Sequence, residues 1–180
     1  PRAFVSMAPS YATAVRGACH LEGLSYWAGY GVRWPGWYDP EAYDPHDSTG
    51  QGKVAVDFQN YVGVFNPLGL CKFILKATIT PQNIAELMNA ALGWDWTATD
   101  VVETGERLFN LKRLINLRLG ITAADDTLPR RLLAEPRPSG GAAGVLPDLP
   151  AMLEEYYQVR GWEADGRPSA ERLAALNVLP

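Results

Sequence analysis

From Thr80 to Gly120 the chain carries two apolar stripes at helical spacing, each opened by a capping residue and closed by a glycine. In the first, Thr80-Pro81 supplies an N-cap followed by proline at the first helical position. Ile84, Leu87, Met88 and Leu92 share one face, and Gly93 stops the helix. In the second, Thr97 or Thr99 opens a helix of about five turns. Its apolar set, Leu108, Leu111, Leu114, Ile115 and Leu119, is predicted to face inward, and Gly120 ends it. Arg107, Lys112, Arg113 and Arg118 then fall on the polar side, where solvation and capping of the last carbonyls account for them.

The same reading extends along the chain. Residues 1–50 are predicted to be irregular or broken helix, because Gly29, Gly31, Pro35, Gly36, Pro40 and Pro45 punctuate them. The stretch Trp34 to Pro40 reads as a loop or clamp, and Trp34 and Trp37 are expected at a domain interface. Val54, Phe58, Tyr61, Val62 and Phe65 predict a helix from Lys53 to Phe65 that stops at Asn66-Pro67. Residues 71–77 form a short apolar segment, either strand or buried helix. Residues 134–147 read as a proline- and glycine-rich linker. Asp148 then caps a helix that turns Leu149, Met152, Leu153, Tyr156 and Val159 inward and ends at Gly161; a last turn starts at Ser169 and carries Leu173 and Leu176. No convincing period-2 alternation and no internal repeat occurs. The expected fold class is mainly α: an irregular helical domain with long loops.

Composition narrows what such a domain can do. A net charge of −4 offers no basic field for nucleic acid, and 47% hydrophobic residues exclude a disordered acidic tail. No apolar run reaches the roughly 18 residues that a membrane helix needs, so a soluble protein is expected, and with nothing that marks the chain as secreted or in need of a disulfide, a reducing cytoplasm. Pro1 opens the chain without an initiator Met or a signal pattern, which reads as a piece cut from a longer polypeptide. There is no G-x-x-x-x-G-K-[ST] loop and no G-x-G-x-x-G, and the two histidines have no nucleophile elbow to serve.

Two cysteines remain, Cys19 and Cys71, neither in a C-x-x-C pair, which excludes a zinc ribbon by ligand count. Cys71 follows the turn Asn66-Pro67-Leu68-Gly69-Leu70, where Gly69 allows close backbone approach and Asn66 can bond backbone or the edge of a heterocycle. By residue chemistry alone, a lone cysteine there is expected to be buried and structural.

The string N-P-L-G-L-C-K-F from Asn66 to Phe73 resembles the D-x-x-G-L-C motif of the tungsten-containing aldehyde:ferredoxin oxidoreductases. Arg16-Gly17-Ala18-Cys19-His20 resembles the family's R-G-x-x-H. Further stretches agree in order: Gly105-Glu106-Arg107 through Asn110-Leu111-Lys112-Arg113 to Asn116 and Thr122, then Asp125-Asp126-Thr127-Leu128-Pro129, and the closing Glu155-Tyr156-Tyr157, Arg160-Gly161-Trp162 and Gly166-Arg167-Pro168. The resemblance covers essentially the whole of residues 1–180.

The resemblance implies a three-domain oxidoreductase, of which this chain is the C-terminal helical domain. An N-terminal β domain, absent here, would form the base for a tungsten bis-pterin. Three cysteines of a [4Fe–4S] cluster would lie in a preceding helical domain, in a C-x-x-C-x-x-x-C run expected upstream of Pro1. Cys71 maps onto the fourth cluster ligand. Asn66, Gly69, Leu70 and Lys72 map onto the pterin- and cluster-contacting turn, with Asn66 standing where the family usually has Asp. His20 maps onto a histidine near the substrate, and Arg16 onto a residue that holds the cofactor or caps a helix. The aromatic loop from Tyr26 to Tyr43 is expected to line the substrate channel. The implied reaction is oxidation of an aldehyde to its carboxylic acid with a ferredoxin-like electron acceptor, and the implied partners are the rest of the polypeptide, with self-association left open. The alternatives are the tungsten subunit of a dearomatising acyl-CoA reductase on the same scaffold, or a helical interaction module that has lost the cofactors.

Overall fold

The computed structural model describes residues 1–178 apart from positions 39 and 42. It contains the helices α1 (Met7–Ala12), α2 (Gln51–Gly63), α3 (Pro81–Leu92), α4 (Ala98–Arg118), α5 (Arg130–Ala134), α6 (Leu149–Arg160) and α7 (Ala170–Ala175). Short 3-10 segments of one or two turns occupy His20–Glu22, Ser25–Tyr30, Lys72–Ala77 and Ala123–Asp125. Among the described residues, extended pairing is confined to isolated bridges such as Trp34 with Tyr38. The fold is mainly α, as its helix signals predict.

The ends of the helices follow those signals closely. In α3, Thr80 Oγ1 accepts from Asn83 N–H at 3.3 Å while Asn83 Oδ1 accepts from Thr80 N–H at 3.0 Å, a reciprocal capping box. Gly93 closes α3 in the left-handed region at φ 71°. Asp100 accepts from Thr97 N–H at 2.7 Å and starts α4, whose 21 residues outrun the expected five turns. Asp148 and Ser169 cap α6 and α7 through Ala151 N–H and Arg172 N–H. α2 begins at Gln51, two residues earlier than its apolar pattern suggests, and gives way to turns at Val64.

Packing departs from the apolar pattern, most clearly in α4. Leu111, Ile115 and Leu119, expected to be inward, are 47%, 50% and 75% exposed. The buried face is instead Val101, Val102, Gly105, Glu106, Phe109, Asn110 and Arg113. The reason lies at Gly105, where a Cβ would stand 1.7 Å from the carbonyl oxygen of Asn60. α4 can press its backbone onto α2 only along the face bearing this glycine, and that choice turns the leucine stripe outward. α2 meets α6 in a similar way at Gly52, whose Cβ would stand 2.6 Å from Met152 O. Leu87 and Leu92 of α3 and Val159 of α6 are likewise exposed rather than packed.

Polar side chains complete this interior. Arg113, expected to be solvated, is buried: its guanidinium donates to both carboxylate oxygens of Asp126 at 2.7 Å and to Gly166 O at 2.9 Å, over the ring of Trp162. Arg160 is also fully buried, donating to Gln59 Oε1 at 2.8 Å and to Asn60, with its guanidinium 4.1 Å from the centre of the Phe109 ring. Arg113 is ion-paired and hydrogen-bonded, and Arg160 is hydrogen-bonded to neutral oxygens and stacked on an aromatic ring, so neither guanidinium is buried without polar partners.

The aromatic clamp is a tight turn in which Trp34 N–H donates to Tyr38 O at 2.8 Å and Tyr38 N–H returns to Trp34 O at 2.9 Å. Trp34 does not sit at an interface. It is wholly buried, 4.8 Å from the Phe58 ring and 5.0 Å from Tyr61, while Trp37 is half-buried on the same cluster. Asp39, within the expected clamp, lies outside the described residues. Two stability outcomes follow from this packing, both read by denaturant unfolding. Trp34→Ala should cost about 3–5 kcal/mol, the loss typical of a buried aromatic. Gly105→Ala should destabilise by about 1–3 kcal/mol through overpacking, although alanine ordinarily strengthens a helix by up to ~1 kcal/mol; a stabilised Gly105→Ala protein would contradict the described α2–α4 crossing.

Candidate functional site

The turn after α2 ends in a sharp loop. Gly69 takes φ 65°, its N–H donates to Asn66 O at 3.2 Å, and Leu70 N–H donates to Phe65 O at 3.0 Å. A Cβ built on Gly69 meets nothing within 4 Å, so the glycine answers to backbone conformation and leaves open space above it. Cys71 follows in extended backbone and heads the 3-10 turn Lys72–Ala77. This segment is neither strand nor buried helix: only Leu75 within it is buried, and Phe73 and Ile74 are exposed. Both cysteines are free thiols, and Cys71 is exposed. The burial expected from its residue chemistry alone is therefore corrected. The turn lacks a second apolar layer to cover the sulfur, so Cys71 stands on an open face.

Behind this loop lies a residue that sequence reading passed over. Glu22 closes the 3-10 turn His20–Glu22 and is 3% exposed. Arg16 Nε lies 2.9 Å from Glu22 Oε1, Lys72 Nζ lies 3.7 Å from the same oxygen, and Lys112 Nζ approaches Oε2 at 3.6 Å. Asn66 Nδ2 donates to Oε1 at 3.3 Å, and Lys72 Nζ also donates to the carbonyl of Leu21. Arg16, Asn66 and Lys72, singled out separately, thus converge on one carboxylate. Gly69 and Leu70 belong to the loop between two of them. His20 occupies the first position of the 3-10 turn and is exposed, with its ring 6.2 Å from that of Tyr26.

The electrostatics match this arrangement. Burial alone would push the Glu22 carboxyl up; the charges of Lys112, Lys72 and Arg16, with the Asn66 hydrogen bond, outweigh it and hold the group below the usual carboxylate range. Burial pushes the Lys72 ammonium down, and the attraction of Glu22 restores only part of this. Burial would likewise raise the Cys19 thiol, yet the Leu21 backbone N–H and the Arg16 guanidinium, 3.3 Å from the sulfur, bring it below the ordinary thiol value. Three cations around one carboxylate leave this face with a surplus of positive charge.

A single exposed thiol cannot close a metal site, and among the described residues no group of three or more His, Cys, Asp or Glu is arranged to hold an ion. Cys71 fits one corner of an iron–sulfur cluster completed by other polypeptide. The surroundings fit as well: an exposed sulfur on a loop whose ends bond a buried carboxylate ringed by Arg16, Lys72 and Lys112 suits an anionic cluster or a hydrogen-bonding heterocycle. Glu22 could not have been found by pattern, since one glutamate between Leu21 and Gly23 reads as an ordinary surface residue. Lys112 appeared only as one of several basic residues on α4.

Residues 1–178 match the family model described as aldehyde ferredoxin oxidoreductase, domains 2 and 3. The tungsten-containing aldehyde ferredoxin oxidoreductase of Pyrococcus furiosus is 38% identical over 99% of this chain, and that of Pyrococcus abyssi is 37% identical over 99%. The chain spans about 29% of the length of the first of these and 28% of the second. Among solved structures, the active-site complex BamBC of benzoyl-coenzyme A reductase, bound to 1,5-dienoyl-CoA, superposes with a TM-score of 0.58 at 21% identity. That superposition covers 78% of this chain and 21% of the other, and it shows a shared fold. With its whole described length inside one family model, and with this identity to the curated oxidoreductases, the chain belongs to the aldehyde ferredoxin oxidoreductase family.

Proposed function

We propose that this chain is the last helical domain of a tungstopterin, iron–sulfur oxidoreductase that converts aldehydes to carboxylic acids and passes electrons to a ferredoxin-like acceptor. The observation that carries the reading is the exposed sulfur of Cys71, on a loop pinned at both ends to the Glu22 cluster. Exposed Leu70, Phe73 and Ile74 around it are the apolar surroundings expected of a face built to meet more polypeptide.

In this reading Cys71 supplies the fourth thiolate of a [4Fe–4S] cluster. The turn Asn66–Lys72 lies against the pterin. When bound, the tungsten centre and the cluster supply the oxygen-transfer and one-electron chemistry that no side chain here provides. The chain's own residues bind and orient. With its Nδ2 committed to Glu22, Asn66 presents Oδ1 to a heterocyclic N–H. Gly69 leaves room for a flat ring to approach the backbone, whose Gly69 and Leu70 groups can bond it. Lys72 and Arg16, held on Glu22, keep positive charge on the face that carries the loop. His20, exposed at the head of its turn, orients an aldehyde carbonyl or moves a proton at its imidazole.

Metal analysis of the full-length protein tests this directly. About four irons and about one tungsten per chain are expected, and Cys71→Ser should lose most of the iron and its visible absorption while tungsten falls less. A full-length protein carrying neither metal would support the cofactor-free interaction module instead. Aldehyde-dependent reduction of a ferredoxin or a viologen dye separates aldehyde oxidation from acyl-CoA reduction on the same scaffold.

A further inference from the structure

Glu22 does more than balance charge. The segment from Asn66 to Lys72 leaves the helical core at α2 and returns at the 3-10 turn, and each end is attached to the same place. Asn66 Nδ2 reaches Glu22 Oε1 at 3.3 Å. Lys72 Nζ reaches that same oxygen at 3.7 Å and the neighbouring Leu21 carbonyl. The second carboxylate oxygen, Oε2, faces Lys112 on α4 at 3.6 Å. One side chain therefore ties three separate pieces of the fold, the 3-10 turn His20–Glu22, the Cys71 loop and α4, at a point that is almost entirely buried.

The loop's internal hydrogen bonds, Gly69 to Asn66 and Leu70 to Phe65, fix the shape of the turn but not its position relative to the rest of the chain. Apolar packing holds the loop at Leu68, which lies on the main cluster, and at Phe73, stacked on Trp27 at 6.4 Å, while Leu70 and Ile74 are exposed and leave the stretch that carries Cys71 without apolar cover. A buried carboxylate bonded to both ends adds a polar restraint on the stretch between those apolar contacts, and burial strengthens each of its bonds.

We propose that Glu22 is the positioning residue of the Cys71 loop: it fixes where the sulfur stands and, with Lys72, Lys112 and Arg16, sets the electrostatic potential that the sulfur's ligand experiences. The assignment of that ligand as an iron–sulfur cluster rests on the function proposed above; the positional claim does not. Arg16, Lys72 and Lys112 are the charged groups that face Glu22 from the elements packed against it, and Asn66 is its neutral partner.

Two measurements on the full-length protein decide it. Glu22→Gln keeps an acceptor for Asn66 but loses all three ion pairs. Amide hydrogen exchange over residues 66–72 should then quicken several-fold while exchange over α2 stays as it was; unchanged exchange over 66–72 in the folded variant overturns the proposal. If Glu22→Gln does not fold, Glu22→Asp, too short by one methylene to span both anchors, must give the same local quickening, and failure to do so overturns it equally. The second measurement is the reduction potential of the cluster. Glu22→Gln removes a negative charge and should move the potential to more positive values, whereas Lys112→Gln removes a positive charge and should move it to more negative values. Iron-loaded variants with unmoved potentials refute the electrostatic part. Absence of iron from the unmodified protein refutes the proposed function instead, and hydrogen exchange still tests whether Glu22 positions the loop.

Discussion

The crossing of α2 over α4 brings the carbonyl of Asn60 into the space that any side chain at position 105 would occupy, and much of the molecule is arranged around that contact. Backbone-to-backbone approach of this kind admits one rotation of α4 about its axis. The rotation puts Glu106, Asn110 and Arg113 inside, and each finds a polar partner there: Arg172, Trp162 and Asp126 respectively. It leaves Leu111, Ile115 and Leu119 at the surface. It also aims Lys112 at Glu22, so the same close contact that organises the core carries one of the three cations to the functional face.

The interior is accordingly more polar than the composition suggests. Arg113 and Arg160 occupy volume that aliphatic residues fill in simpler helical folds, and both are stacked on aromatic rings. Removing Asp126 from its pair with Arg113 is costly because the remaining charge is stranded in a low dielectric. Their value here is directional: Arg113 joins α4 to the Asp126 and Gly166 segments, and Arg160 joins α6 to α2. These bonds hold the last third of the chain, poor in long helices, against the first two.

The functional face obeys the same logic at smaller scale. One buried carboxylate collects an arginine, two lysines and an asparagine from elements far apart in sequence, and an exposed thiol stands on the loop so fixed. Position 66 carries a neutral amide, and the carboxylate against Lys72 is supplied by Glu22.

Local signals written in a few consecutive residues were legible: the capping box at Thr80, the stops at Gly93 and Gly161, the cap at Asp148, the helical class and the turn that presents Cys71. They depend on backbone hydrogen bonds between near neighbours, and no distant part of the chain can overrule them cheaply. The sequence motifs also marked Arg16, His20, Asn66 and Lys72 one by one. What the sequence could not decide is which face of each helix turns inward, that Trp34 belongs to the core, that Arg113 is buried, and that Glu22 gathers the marked residues into one site. Apolar periodicity records hydrophobicity alone, whereas burial here was decided by a glycine that permits contact and by polar partners brought in from remote segments. Those are properties of pairs of residues far apart along the chain, and they come into existence only when the chain is folded.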